Sequence, residues 1–176
     1  MRKNLFLLGI SFLLTLNVCS QSIMTVNDLL QIRTAALKNA KGDMTLVNIL
    51  QKRGYVKTYK VSDDNWYFYK DCRLVIPDSY GAELRGIEIE AIPKDSKASF
   101  LNLIADGYGG GYASLTVYGK ANAQKWFNQI KALGYRSNSS GGKGNQGQSW
   151  EYSKSGYPDL CIWNDYGDTY VLSLNF

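Results

Sequence analysis

The sequence predicts an α+β protein made of two tandem repeats, each a helical segment followed by antiparallel sheet, with the helices packed on one face of the sheet. Three observations predict it. The apolar period is near 3.6 in residues 26–53 and 120–133 and near two elsewhere after the leader. Both helical stretches end in the same step, Gly54-Tyr55 and Gly134-Tyr135, which opens a run of short strands. With 176 residues, 45% hydrophobic and 20% charged, the chain can bury a core and is too apolar to stay disordered.

The elements follow in order. Met1-Arg2-Lys3, the apolar run Leu5 to Leu16 and the exit Asn17-Val18-Cys19-Ser20 read as an export signal over residues 1–20, cut after Ser20. The apolar run is too short to span a bilayer core of roughly 30 Å. Leu16-Asn17-Val18-Cys19 also resembles a lipoprotein box, in which Cys19 would carry the lipid, although Val18 stands where a small residue is usual. The expected product is periplasmic or secreted, without a transmembrane segment once the leader is gone.

Thr25 with Asp28 three residues on is an N-cap signature, so a helix is expected from Val26 to Ala40, stopped by Gly42. Its apolar stripe reads Leu29, Leu30, Ala36 and Leu37. Asp43 caps a second, shorter helix with Leu46, Val47 and Leu50 inward and Gly54 as its stop. Strands are expected at Tyr55–Val61, Asn65–Lys70, Cys72–Ile76, Arg85–Ile92, Phe100–Ala105 and Tyr112–Tyr118. In Arg85–Ile92, Ile87, Ile89 and Ala91 alternate with Glu88 and Glu90. Lys120 to Leu133 is a helix with Ala123, Trp126, Phe127, Ile130 and Leu133 on one stripe. After Gly134 come strands at Tyr135–Ser139, Ser149–Lys154, Asp159–Asn164 and Thr169–Asn175, with a Gly/Ser-rich loop after the first.

This order divides the mature chain into a first repeat, 21–111, and a second, 112–176. Each Gly-Tyr step leads to a strand with Trp then Tyr (Trp66, Tyr67; Trp150, Tyr152) and then a strand with Cys (Cys72; Cys161). The Trp-to-Cys spacing is 6 in one half and 11 in the other, so the second needs an insertion. Two helix-then-sheet units in tandem behind an export signal resemble the beta-lactamase inhibitor protein architecture. That resemblance lies in element order alone and brings no functional residue with it.

In an oxidising compartment Cys72 and Cys161 either pair or sit apart as small apolar residues. Paired, they would close a long loop worth roughly 4–5 kcal/mol. The chain has no His, which removes Ser-His-Asp and Cys-His nucleophile systems and His-ligated zinc. No metal-ligand spacing and no cofactor motif stands out. Gly142-Lys143-Gly144-Asn145-Gln146-Gly147 spells G-x-G-x-x-G, but the strand-like Gln148 to Tyr152 follows where a dinucleotide fingerprint needs a helix, so it reads as a hairpin loop. Asp165-Tyr166-Gly167-Asp168 and Asp63-Asp64-Asn65 read as turns. Asn138-Ser139-Ser140 is a glycosylation sequon, meaningful only in a host that uses it. The 20 Lys and Arg are scattered among 15 acids, and removing Arg2 and Lys3 with the leader lowers the net charge from +5 to +3, which makes no nucleic-acid stripe.

The positive signal is aromatic: 13 Tyr, 4 Trp and 6 Phe, several beside glycine-rich loops. Tyr with Gly and Ser gives large contact area at low entropic cost. The expected binding residues are Tyr108, Tyr112, Trp66, Trp150, Tyr152 and Tyr157, on a sheet-and-loop surface that meets a protein or a glycan. The expected function is therefore an exported, non-enzymatic binding or inhibitor-type module. Two alternatives stand beside it: a carboxylate-only, glycosidase-like hydrolase drawing on Glu88, Glu90, Glu151 or Asp165, and a structural accessory of the envelope.

Overall fold

The computed structural model describes residues 23–37, 44–75, 89–105, 110–138, 142–144 and 146–175. The leader, Cys19, Tyr108, Ile87 and Glu88 lie outside them. Among the described residues there are three helices: α1 (Val26–Leu37), α2 (Met44–Arg53) and α3 (Lys120–Ala132). The strands are β1 (Lys57–Ser62), β2 (Asn65–Lys70), β3 (Arg73–Val75), β4 (Glu90–Ile92), β5 (Ser99–Ala105), β6 (Gly111–Tyr118), β7 (Arg136–Ser137), β8 (Gly142–Gly144), β9 (Gly147–Ser153), β10 (Leu160–Asn164) and β11 (Thr169–Asn175). Nine of them make one antiparallel sheet in the order β1-β2-β5-β6-β11-β10-β9-β7, with β8 also on β9; β3 and β4 make a separate two-stranded ribbon.

Local chemistry sets the helix ends. The Thr25 backbone N–H donates to Asp28 Oδ2 at 2.8 Å, and the Asp28 N–H donates to Thr25 Oγ1 at 3.1 Å. This reciprocal capping box satisfies two of the otherwise unpaired amides at the start of α1. Arg53 Nη2 reaches the same Asp28 oxygen at 2.8 Å, which ties the end of α2 to the start of α1. Both Gly-Tyr steps close in one way. Tyr55 N–H donates to the Leu50 carbonyl (2.9 Å) and Gly54 N–H to that of Gln51 (3.0 Å); Tyr135 and Gly134 repeat the pattern on Ile130 (3.2 Å) and Lys131 (3.0 Å). Gly54 and Gly134 both have φ of 80°, the left-handed conformation that this turn requires and glycine adopts without strain. Each turn delivers its tyrosine into the core, at 1% exposure for Tyr55 and 7% for Tyr135.

All three helices cover one face of the sheet. Leu101 and Leu103 of β5, Ala113, Leu115 and Val117 of β6, Leu172 and Leu174 of β11 and Leu160 and Ile162 of β10 point toward Leu29, Ile32, Ile49, Leu50, Trp126 and Ile130. Cross-strand register places these residues directly opposite one another, for example Leu101↔Leu115↔Leu172↔Ile162, so the apolar set forms continuous rows. Trp126 Nε1 donates to the Met24 carbonyl, and Gln129 Oε1 accepts from Val26 N–H, which lock α3 beside α1. On the opposite face the β3–β4 ribbon roofs one end of β2, β5 and β6, where Ile89, Ala91, Ala98 and Cys72 enclose Tyr67, Phe100 and Tyr118. Ile89 and Ala91 turn in and Glu90 turns out, as the alternation predicts.

Several expectations change. The buried stripe of α1 is Val26, Leu29, Ile32 and Ala35, while Leu30, Ala36 and Leu37 are only half-buried, because steps of three keep the first set facing the sheet. Val47 of α2 is 37% exposed and Ile49 joins Leu50 inside, since the turn at Gly54 fixes how α2 is rotated. The position 111/112 falls within β6, whose two edges are paired with β5 and β11, so one sheet runs unbroken across it. The residues that mark the repeats do not occupy matching places. Trp66 and Tyr67 are adjacent and so face opposite ways, whereas Trp150 and Tyr152 are two apart and share the helix face. Cys72 lies beyond the end of β2 and Cys161 within β10. Both are free thiols. Four strand spacings of about 4.8 Å lie between β2 and β10, roughly 19 Å, against a disulfide limit of about 7 Å between Cα atoms.

Asp28→Ala removes the cap acceptor and strands the Arg53 guanidinium. Urea unfolding should show a loss of about 1–3 kcal/mol; an unchanged midpoint would mean that the α1–α2 junction is held by apolar packing alone.

Candidate functional site

Strands β6, β11 and β10 carry aliphatic side chains toward the helices and β9 carries Trp150 and Tyr152, so their alternate residues face away. These are Tyr112, Ser114 and Thr116; Val171, Ser173 and Asn175; Cys161 and Trp163; and Ser149 and Glu151. Two shallow clefts lie along this face. One, of about 330 Å³, is lined by Tyr112, Asn138, Glu151, Asp159, Cys161, Ser173 and Asn175, with Leu160 and Leu174 at its margin. The other, of about 470 Å³, is lined by Trp163, Ser149, Gln146 and Gly142, Gly144 and Gly147.

Trp163 owes its place to a glycine. A Cβ on Gly147 would come within 2.7 Å of Trp163 Nε1 and 2.4 Å of the Asn164 carbonyl oxygen, so only a bare backbone lets the indole lie against β9. The G-x-G-x-x-G stretch is thus the β8–β9 hairpin, with Gly144 opposite Gly147, and Tyr166 Oη donates to the Gly144 carbonyl at 2.7 Å. Asp165 is committed to the neighbouring turn, where Oδ1 accepts from the Gly167 N–H at 2.8 Å and the Thr169 N–H at 3.3 Å. Asn164 closes the same turn by donating to the Gly167 and Thr169 carbonyls.

The ionisable carboxylates of the 330 Å³ cleft are Glu151 and Asp159, and among the described residues no Lys or Arg lines it, although the chain is net basic. Burial pushes the Cys161 thiol above the ordinary cysteine range, and the Glu151 charge beside it pushes in the same direction, against a hydrogen bond with Ser173 that lowers it. At neutral pH this cysteine is a neutral thiol rather than a nucleophilic thiolate.

The six aromatic residues singled out from sequence do not assemble on one surface. Tyr112 lines the cleft. Trp150 and Tyr152 are on the opposite face, packed edge-on against Phe127 with ring centroids 5.2 and 6.5 Å away. Trp66 also faces that side, with Nε1 donating to the Asp63 carbonyl and the Lys60 ammonium 5.2 Å over its ring. Tyr157 is 52% exposed but packs on Tyr135, with Lys154 Nζ 3.9 Å above its ring, and that ammonium also donates to the Leu133 carbonyl at the end of α3. Tyr108 is outside the described residues. Of the carboxylates, Glu88 lies outside the described residues, Glu90 is paired with Lys94 at 2.7 Å on the far side of the ribbon, and Glu151 lines the 330 Å³ cleft.

Trp163, Asp159, Asn138, Ser173 and Asn175 were missed. The signal for Trp163 lay in β10, where Leu160, Ile162 and Asn164 alternate with Cys161 and Trp163 and so must face the other way. Among the described residues no group of three or more acidic or Cys side chains is placed to hold a metal ion, and no helix is long and apolar enough to cross a membrane. Comparison with protein-family models, curated proteins and solved structures finds no match to this chain.

Gly147→Ala forces a Cβ into the indole and the Asn164 carbonyl. It should cost roughly 1–3 kcal/mol in chemical denaturation and shift the Trp163 emission, and neither change would appear if the indole does not rest on Gly147. Iodoacetamide should label Cys161 at pH 7–8 more slowly than a free cysteine. The rate should climb only above the ordinary thiol range and rise in Glu151→Gln; labelling as fast as free cysteine at pH 7 contradicts the neutral thiol.

Proposed function

We propose that this chain is an exported, non-enzymatic binding module that takes a protein or glycan partner on the sheet face turned away from its helices. Export is supported by Arg2-Lys3 ahead of the apolar run Leu5 to Leu16. The observation that carries the binding reading is the uneven cover of that face. Apolar Ile89, Ala91 and Ala98 close it over Tyr67, Phe100 and Tyr118, whereas the strands beyond present Tyr112, Trp163, hydroxyls, amides and two carboxylates along shallow clefts. Convergent polar groups flanked by aromatics are the composition of a recognition surface rather than of a core. The likeness to the beta-lactamase inhibitor protein architecture rests on the element order read along the sequence, a helical segment and then strands after each Gly-Tyr step, and carries no functional residue.

A carboxylate hydrolase is the second reading, favoured by Glu151 and Asp159 lining one cleft. One experiment addresses both. The immobilised mature chain is exposed to envelope extract, and bound material is analysed for retention and for cleavage. Retention that falls at least tenfold in the Tyr112→Ala, Trp163→Ala variant, with the bound material intact, supports the binding module. Equal retention by the variant removes this face from the proposal, and cleavage abolished by Glu151→Gln transfers it to the hydrolase.

A further inference from the structure

One row of side chains crosses the open face from its covered end to its cleft. Asn102 of β5 is directly opposite Ser114 of β6, Ser114 opposite Ser173 of β11, Ser173 opposite Cys161 of β10, and Cys161 opposite Glu151 of β9. Five adjacent strands thus carry small polar groups at one level, over roughly 19 Å at about 4.8 Å per strand. At the inner end the row is short of partners. Asn102 Oδ1 and Ser114 Oγ, with Thr116 Oγ1 two residues along β6, are buried to 2% exposure or less and have no hydrogen-bond partner among the described residues. Asn102 already spends its amide on Asn65 Oδ1 at 2.6 Å, so its oxygen is left over. Leaving such a group buried and unpaired is destabilising, and a sheet that needed only packing would hold valine or alanine there. The outer end of the row, at Ser173, Cys161 and Glu151, opens into the 330 Å³ cleft.

Resting on the binding-module reading above, we infer that this cleft is a saccharide site. In it a neutral oligosaccharide lies across β11, β10 and β9 with its hydroxyls on the polar row, and ordered water carries the hydrogen bonding inward to Ser114 and Asn102. Four features select this ligand class. Strands β10 and β11 are paired along both edges, so no main-chain ladder is open to an extended peptide and recognition falls to side chains. The groups supplied are hydroxyl, amide and carboxylate, which accept from and donate to vicinal hydroxyls. Tyr112 flanks the row on one side and Trp163 on the other, roughly 13 Å apart along the strands and 10 Å across them, which suits a chain of sugar rings longer than one. Glu151 and Asp159, with no Lys or Arg lining the cleft among the described residues, repel anionic ligands and accept hydrogen bonds from the hydroxyls of a neutral one.

The test uses the mature chain and Trp163→Phe, Glu151→Gln, Tyr112→Ala and Ser114→Val variants, each first checked for a native unfolding transition. These are titrated by calorimetry and tryptophan fluorescence with cellotetraose, chitotetraose and maltotetraose, and with a neutral extended tetrapeptide as control. The expected result is saturable binding of at least one tetrasaccharide. It should perturb emission in the wild type and not in Trp163→Phe, weaken at least tenfold in Glu151→Gln and Tyr112→Ala, and weaken less in Ser114→Val. No heat and no emission change with any tetrasaccharide at millimolar concentration overturns the saccharide site. So does tetrapeptide binding that the same variants abolish, or saccharide binding that all four variants leave intact. If the sugars fail while envelope extract still yields a partner lost in the Tyr112→Ala, Trp163→Ala variant, the binding module stands with a protein partner; if both fail, both readings fall.

Discussion

The pairing of β6 with β11 is the constraint on which the rest of the structure depends. Seven residue pairs, from Thr169↔Tyr118 to Asn175↔Tyr112, join strands that end two different meanders, β1-β2-β5-β6 and β7-β9-β10-β11. Because side chains alternate with a period of two, this register decides the facing of both halves at once. It sets Leu115 against Leu172 and Ala113 against Leu174 under the helices, and by the same act sets Ser114 against Ser173 on the other side. A slip of one residue would exchange the oily rows for the polar ones and open the core to water.

The two faces of the sheet are closed to different extents. On the helix face, α1 and α3 lie beside one another, tied by Trp126 and Gln129 to the chain just before and at the start of α1, and the buried aromatics and aliphatics form one cluster. On the other face, among the described residues, the contacts of the ribbon gather around Tyr67, Phe100 and Tyr118. The Ala91 N–H donating to Tyr118 Oη at 3.1 Å marks where that cover sits. Beyond it the surface turns to serine, cysteine, asparagine and carboxylate, residues that tolerate water and can trade it for a ligand.

Two glycine uses explain much of the remaining order. Gly54 and Gly134 take the left-handed conformation that ends a helix and sends tyrosine inward; Tyr55 then donates to Ser99 Oγ at 2.6 Å, and Ser99 to the Thr116 carbonyl at 2.7 Å, so the turn is anchored to the middle of the sheet. Gly147 serves by lacking a side chain, and the space it leaves is filled by the indole of Trp163. Lys154 plays a third local part: its ammonium meets the carbonyl end of α3 and the face of Tyr157, where helix dipole and ring quadrupole both favour a cation.

Local pattern determined the elements. Residues 65–70 and 169–175 are strands with the boundaries their alternation predicts, the capping box at Thr25 and Asp28 forms as spelled, and α3 buries Ala123, Trp126 and Ile130 from its stripe. These are legible because period, capping and turn geometry act within a few residues. The candidate site was much less legible. Trp66, Trp150 and Tyr152 look like a binding surface when read along the chain, yet all three lie on the helix side, where Phe127 packs against Trp150 and Tyr152, and Lys60 and Asp63 engage Trp66. The cleft instead joins Tyr112, Glu151, Cys161 and Ser173 from four strands. Which residues meet across a sheet depends on strand order and register, and these are fixed by burial of the whole core rather than by any segment of it. Sequence alone therefore determined what the strands and helices are, and tertiary packing decided which side of each strand was left to face a ligand.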